Sequence, residues 1–278
     1  MGFSVNTNTG AMAALQSLTA TNRGLDTTQS RINTGFAVAS TKDDSASYTI
    51  AQTLRGELGG LKAVTSSLSR AKSTVDVAVA GAEQISDVLN QMKAKAIEAS
   101  DEGLDAESLE QINEDFKALH TQIESIIEAS EFNGTNLLKG STDASGSVSA
   151  LKGTDVNNTD NVLEVKNQDL TAMLDDIDAT GFTDADGAKD MVEALETAEG
   201  LMKTTLSELG SGSRAIDNQL GFVSKLSDVI EGGIGNLVDA DLAKESAKLQ
   251  ALQVKQQLGL QALSIANQAP QSIMSLFR

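Results

Sequence analysis

The chain has 278 residues, enough to bury a core in one large or two modest domains, and a formal net charge of −18. It holds no Cys, no Trp, one Pro, one Tyr and 3% aromatics, which excludes disulfide and thiol chemistry and leaves Leu, Ile, Val, Ala and Met to build any core. No basic patch offers counterion release to nucleic acid, and no run of about 18 apolar residues offers a membrane span, so neither is expected as a partner.

Residues 1–8 lack a charged n-region and an apolar h-region, so no cleaved secretory signal is expected. Ala11, Leu15, Leu18, Asn22, Leu25, Gln29 and Ile32 then recur at alternating spacings of four and three, one stripe of an amphipathic helix. With Pro270 the single proline, little forces helices to stop, and long ones are expected. Leu61, Val64, Leu68, Ala71, Val75, Ala78, Ala82, Ile85, Leu89, Met92 and Ala96 form a heptad seam, predicting a helix roughly 55 Å long over that stretch. Ser100-Asp101-Glu102-Gly103 reads as a C-cap and turn, with Asp105 or Ser108 as the next N-cap. A second seam follows at Leu109, Ile112, Phe116, Leu119, Ile123 and Ile126, and the short connection makes the two an antiparallel helical hairpin.

Phe132-Asn133-Gly134-Thr135-Asn136 carries the Asn-Gly turn signal. Residues 141–161 are rich in Ser, Thr, Gly, Asp and Asn and predict short strands and exposed loops, with Val162–Lys166 as a strand. Helix is expected again from Asp184 or Asp186 through Val192, Leu195, Ala198, Met202 and Leu209, and again through Ile216, Leu220, Val223 and Ile230. Gly232-Gly233 and Gly235 are expected to break it before a terminal helix that starts near Asp239 or Asp241 and carries Leu242, Leu249, Leu252, Leu263 and Ala266.

The elements thus run out and back, from terminal helix through long helices to a polar middle and back through a long helix to a terminal helix, and the charge follows that plan. Residues 141–199 hold fourteen acids and three bases, whereas residues 1–56 hold four bases and three acids and residues 240–278 four bases and two acids. Near-neutral ends can pack in many copies without repulsion, while an acidic middle favours water. The seams of residues 61–126 read as intrachain core. The stripes of residues 11–32 and 242–266 read as surfaces buried between copies, because one pair of terminal helices buries too little by itself.

Nothing assembles a catalytic constellation, so the chain is not expected to be an enzyme and no cofactor is expected. His120 cannot build a zinc cluster alone and is expected at a surface or seam edge. Asp184, Asp186 and Glu193 partly follow calcium-loop spacing, but Phe182 would occupy the first ligand position, so helix capping is the better reading. Asp43-Asp44 lack a partner for acid–base work, and Gly210-Ser211-Gly212-Ser213 lacks the Lys of a phosphate loop.

Three separated motifs resemble bacterial flagellins, most closely those of alphaproteobacteria. They are Ser4–Asn8 with Ala13-Ala14-Leu15, Ser30–Gly35 and Lys42-Asp43-Asp44; Phe132-Asn133-Gly134 with Leu137-Leu138; and Asp241–Ser246 with Gln256-Gln257, Ala266–Gln271 and Leu276. The resemblance covers about the first 140 and the last 90 residues. It implies a mainly α fold, a long antiparallel coiled-coil-like bundle formed by the N- and C-terminal halves with a small β-hairpin and loop region in the middle. Residues 1–40 and 241–278 would form the inner core of a filament, 41–140 and 188–240 a surrounding long-helix domain, and 141–187 a short acidic exposed region. Leu15, Leu18, Leu25, Ile32, Leu249, Leu252, Leu263 and Leu276 would knit the polymer core, and Arg31, Lys42, Asp43 and Asp44 would act at the inner-to-outer junction.

The implied function is a secreted, extracellular structural subunit of the flagellar filament, polymerising with itself for swimming. An export chaperone, a cap protein and junction proteins would be its partners. The runner-up readings are a hook–filament junction protein and a secreted helical adhesin or effector. Two departures stand out. Ala37 and Ala39 replace the Arg and Asn common in the loop, and Gln91 and Ala94 replace the Arg and Glu read by the vertebrate innate flagellin receptor, so weak or absent receptor recognition is expected.

Overall fold

The computed structural model describes residues 7–140, 147–155 and 159–275, with Thr159 and residues 269–275 as backbone only. Helices dominate: α1 (Thr9–Thr34), α2 (Ser45–Ala99), α3 (Ala106–Ala129), the short α4 (Leu170–Asp175), α5 (Ala185–Val238) and α6 (Leu242–Ser275). Two small antiparallel ribbons sit between α3 and α5 in sequence. In one, β1 (Glu131–Phe132) pairs with β2 (Thr135–Asn136), and in the other β3 (Val148–Leu151) pairs with β4 (Val162–Val165) from Val148 opposite Val165 to Leu151 opposite Val162. The chain divides into two compact units, residues 57–228 and residues 1–56 with 229–278.

In the unit of residues 57–228, all eleven residues of the first seam are buried. The second seam is turned slightly from the expected phase: Ile112, Phe116 and Ile123 are buried, but so are Asn113, His120 and Ile127. The predicted caps form. The Asp105 carboxylate accepts from Ser108 N at 2.9 Å, and Asp184 accepts from Gly187 N at 2.7 Å at the start of α5. The Asn133-Gly134 turn closes the β1–β2 ribbon with φ of 52° and 81°, the left-handed pair that a two-residue hairpin loop needs.

Four expectations need correction. First, α5 is unbroken at residues 210–213. A Cβ on Gly212 would lie 2.9 Å from Val165 Cγ2, so that glycine admits strand β4 against the helix rather than ending it, and buried Thr205 keeps the seam continuous between Met202 and Leu209. Second, α5 also runs through Gly232, Gly233 and Gly235. Each glycine costs about 0.5–1 kcal/mol relative to Ala, but Ile234 and Val238 pack on Ala51 and hold the helix to its end. It stops where Phe36 bridges Asp239 and where Ala37 and Val38 donate to Val238 O at 2.7 and 3.2 Å.

Third, His120 is buried, its Nε2 3.1 Å from Ile177 O. A half-polar ring fits there because the loop after α4 leaves that carbonyl for it. Fourth, the acidic residues of segment 159–187, such as Asp160, Glu164, Asp175 and Asp186, are exposed, but Leu170, Met173, Leu174, Ile177 and Phe182 are buried. Phe182 meets Phe116 edge-on with ring centroids 5.4 Å apart, and Phe182 N donates to Asn113 Oδ1 at 3.0 Å. Composition marked this stretch as polar; its few apolar residues are what anchor it.

Candidate functional site: the paired terminal helices

α1 and α6 run antiparallel against each other for most of their length, and successive contacts step forward on one helix as they step back on the other. Asn8 Nδ2 donates to Ala266 O at 2.7 Å, Leu18 lies against Gly259, Gln256 Nε2 donates to Asn22 Oδ1 at 2.8 Å, Leu252 lies against Gly24, and Arg31 meets Glu245. A Cβ built on Gly24 would sit 3.4 Å from Leu252, and one on Gly259 3.4 Å from Leu18, so each leucine rests on a glycine of the opposite helix. The two helices therefore approach closely.

That close approach decides which stripe of α1 faces inward. Ala14, Leu18, Thr21, Leu25, Thr28 and Ile32 are half-buried or buried. The sequence stripe placed Leu15, Asn22 and Gln29 among them; small Ala and Thr side chains take those turns instead, and Leu15 points outward at 53% exposure. On α6, Leu249, Leu252, Leu263 and Ala266 are half-buried, whereas Leu242, the first residue of that stripe, is 49% exposed. Leu276 lies outside the described residues.

The hairpin also leaves apolar side chains in water. Met12 and Leu15 on α1, and Val254, Leu258, Leu260 and Ile265 on α6, are all more than half exposed, Ile265 at 70%. Val254, Leu258 and Ile265 fall at helical spacing, a second stripe that is legible in the sequence beside the stronger one.

At the other end of the hairpin a polar cluster is enclosed. Glu245 is 8% exposed and Thr28 0%; Arg31 Nη1 donates to Glu245 Oε1 at 3.2 Å, with Lys248 Nζ 3.7 Å from the other carboxylate oxygen. Burial pushes the Glu245 carboxyl up, but the Arg31 hydrogen bond and the Lys248 charge outweigh it and leave the carboxyl below its ordinary range. Neither Thr28 nor Glu245 stands out in the sequence, since a cluster joining positions 217 apart is visible only once the helices pair.

Between α1 and α2, Gly35 takes φ 76° as the C-cap of α1, its N–H returning to Arg31 O. Asp43 Oδ2 accepts from Ala39 N, Ser40 N and Ser40 Oγ at 3.0–3.2 Å, and Asp44 caps α2, accepting from Ala46 N at 3.0 Å, Ser47 N at 3.3 Å and Ser47 Oγ at 2.7 Å. The Ser40 hydroxyl and amide chiefly hold the Asp43 carboxyl below its usual range, and those of Ser47 do the same for Asp44. Both carboxylates thus shape the loop, while the Lys42 side chain is exposed. Arg55 stacks over the Phe36 ring, 5.8 Å from its centroid.

Residues 5–143 match the family described as the bacterial flagellin N-terminal helical region, and residues 192–277 match the bacterial flagellin C-terminal helical region. The chain belongs to the bacterial flagellins. Flagellin FljM of Caulobacter vibrioides is 44% identical over 275 residues, covering 99% of this chain and 98% of that one. A flagellin of Brucella melitensis is 38% identical over 288 residues and Flagellin C of Rhizobium meliloti 31% over 321, each covering 99% of both chains. The crystal structure of Bacillus cereus flagellin aligns with a TM-score of 0.49 and 18% identity over 55% of this chain and 86% of that one, too distant a likeness to bear on the assignment.

As a flagellin the chain is a structural subunit that polymerises with copies of itself into the extracellular flagellar filament used for swimming. The two family regions hold α1, α2, α3 and the β1–β2 ribbon on one side, and most of α5 with α6 on the other. Among the described residues, no helix is long and apolar enough to cross a membrane.

Proposed function

We propose that copies join through the outward face of the α1–α6 hairpin, so that packed hairpins form the inner tube of the filament. The supporting observation is the exposed apolar set Met12, Leu15, Val254, Leu258, Leu260 and Ile265 on a near-neutral part of a strongly acidic chain. Apolar side chains gathered on one hairpin mark a surface made for contact, and a second copy carries the matching face. Each side chain buried on assembly contributes about 1.5–3 kcal/mol.

On this reading residues 1–40 and 241–278 are the inner core, 41–140 and 188–240 the surrounding shell, and 141–187 the segment whose acidic side chains face solvent while its apolar residues anchor it. Leu15 touches neighbouring copies directly; Leu18, Leu25, Ile32, Leu249, Leu252 and Leu263 set the hairpin that presents it. Arg31, Lys42, Asp43 and Asp44 hold the chain where it passes from the inner layer outward. The role is mechanical, with no catalysis. An export chaperone covers the apolar face of α6 before assembly, and cap and junction proteins meet the same hairpin at the filament ends. Gln91 and Ala94, both exposed on α2, make the chain a weak activator of the innate flagellin receptor. A reporter-cell assay checks this; a response equal to that of an enteric flagellin contradicts it.

The test is the double variant Leu15→Glu, Ile265→Glu. Neither residue supports the hairpin from within, so far-UV circular dichroism of the monomer should match the parent while seeded growth is lost. Filaments growing normally from this variant would overturn the reading.

A further inference from the structure

α6 is helical through Pro270, a residue with no N–H to donate. In an unbroken α-helix the N–H of residue 270 would bond the carbonyl of Ala266, so proline leaves that carbonyl without its helical partner. The Asn8 side chain stands in that place: Nδ2 donates to Ala266 O at 2.7 Å. The same amide turns its oxygen the other way, Oδ1 accepting from Ala11 N at 3.0 Å as the N-cap of α1. Close approach makes this reach possible, since a Cβ on Gly10 would lie 4.0 Å from the Ala266 Cβ.

We propose that Asn8 and Pro270 act as one positioning device: the proline frees the Ala266 carbonyl, and the Asn8 amide, by capping α1 and filling that gap at once, locks the register of α1 against α6. The pairing needs both chemistries. An intrahelical bond at Ala266 would be indifferent to how α6 slides along α1. A carbonyl served only by Asn8 is satisfied at one register, and a shift by one turn, about 5.4 Å, leaves it unpaired. Among the good capping residues Asn carries its cap acceptor and its donor on separate atoms that can face opposite ways; ionised Asp has no donor, and the single hydroxyl oxygen of Ser or Thr is too short to serve both Ala11 N and Ala266 O. The inference rests on the proposed role of the hairpin in joining copies, since a fixed register is what would align its outward apolar residues with those of a neighbour.

The test is a double-mutant cycle in the full-length protein, read as the critical concentration for growth on filament seeds. Asn8→Ser keeps the N-cap acceptor but cannot reach Ala266; Pro270→Ala restores the helical N–H. Asn8→Ser should raise the critical concentration about tenfold in the Pro270 chain, the size of a lost bond plus an orphaned carbonyl, and less than about twofold in the Pro270→Ala chain. If Asn8→Ser abolishes growth in the first background, growth restored by Pro270→Ala supports the device equally well. Equal effects in both backgrounds, or loss of growth in both, would overturn it. A parent chain that fails to grow on seeds would instead count against the hairpin's role in assembly. Within filaments, solid-state NMR should show a cross-peak between the Asn8 side-chain nitrogen and the Ala266 carbonyl carbon, and its absence contradicts the proposal directly.

Discussion

Arg31 reaches across the terminal hairpin to Glu245, Nη1 to Oε1 at 3.2 Å, and joins positions 214 apart in the chain at a carboxylate that is only 8% exposed. Glu245 Oε2, Arg31 Nε and Thr28 Oγ1 are enclosed beside it without further hydrogen-bond partners. A charge enclosed to this extent stabilises only while its partner is present, so removing one side costs more than the pair contributes. Arg31→Ala should therefore destabilise the hairpin by about 2 kcal/mol, and Glu245→Gln by less. Hydrogen exchange of α1 amides within filaments is the measurement.

The same carboxylate sets an acid limit. Glu245 ionises at lower pH when folded than when unfolded, so its contribution is complete above the ordinary glutamate value of about 4.3 and is lost as pH falls through the lowered folded value. Asp43 and Asp44, also lowered, act in the same direction and in the same acid window. Filaments titrated from pH 6 to about 2 should dissociate on the acid side, and Glu245→Gln should flatten but not abolish that dependence. A variant whose light-scattering curve superposes on the parent would show that Glu245 carries none of it.

Leu18 and Leu252 each rest on a glycine of the opposite helix, so a carboxylate at either position would be held against apolar surface without a partner. Leu18→Asp or Leu252→Asp should block polymerisation and leave the unit of residues 57–228 folded, as seen by an unchanged unfolding transition of the monomer. Normal filaments would contradict the placement.

Two glycines of α5 should respond with opposite signs. Gly200 is exposed with nothing within 4 Å of a built Cβ, so Gly200→Ala should stabilise by about 0.5–1 kcal/mol. At Gly212 the Cβ would press on Val165, and Gly212→Val should cost about 2 kcal/mol as β4 is displaced. Urea unfolding of monomer reads both.

Phe182 anchors the loop that follows α4 against Phe116, and Phe182→Ala should cost about 3 kcal/mol. Because the Phe182 amide also satisfies buried Asn113, the loss should appear together with faster exchange of the 177–182 amides.

The long helices were legible because their signals are local: a seam whose eleven positions are all buried, an Asp105 cap, an Asn-Gly turn and an Asp184 cap each depend on residues a few positions apart. What remained hidden depends on partners far along the chain. The role of Gly212 shows only once Val165 is found against it, and Gly232-Gly233 read as a helix breaker until Ile234 and Val238 are seen packed on Ala51. Within the hairpin the inward face of α1 differs from the sequence stripe at Leu15, because hydrophobicity ranks Leu above Ala and Thr, whereas closely packed helices prefer the smaller side chains of Ala14, Thr21 and Thr28. His120 reads as a surface or seam-edge residue because its partner, Ile177 O, lies 57 positions away.

The most direct test of the hairpin as the joining element is seeded growth. Filaments are dissociated by acid to monomer, returned to neutral pH with short filament fragments, and viewed by electron microscopy, with hydrogen exchange of residues 11–32 followed before and after. The expected result is elongation of the fragments with protection of those residues gained only on growth. A persistent monodisperse monomer whose residues 11–32 are already fully protected would contradict it and favour a stably folded adhesin or junction protein.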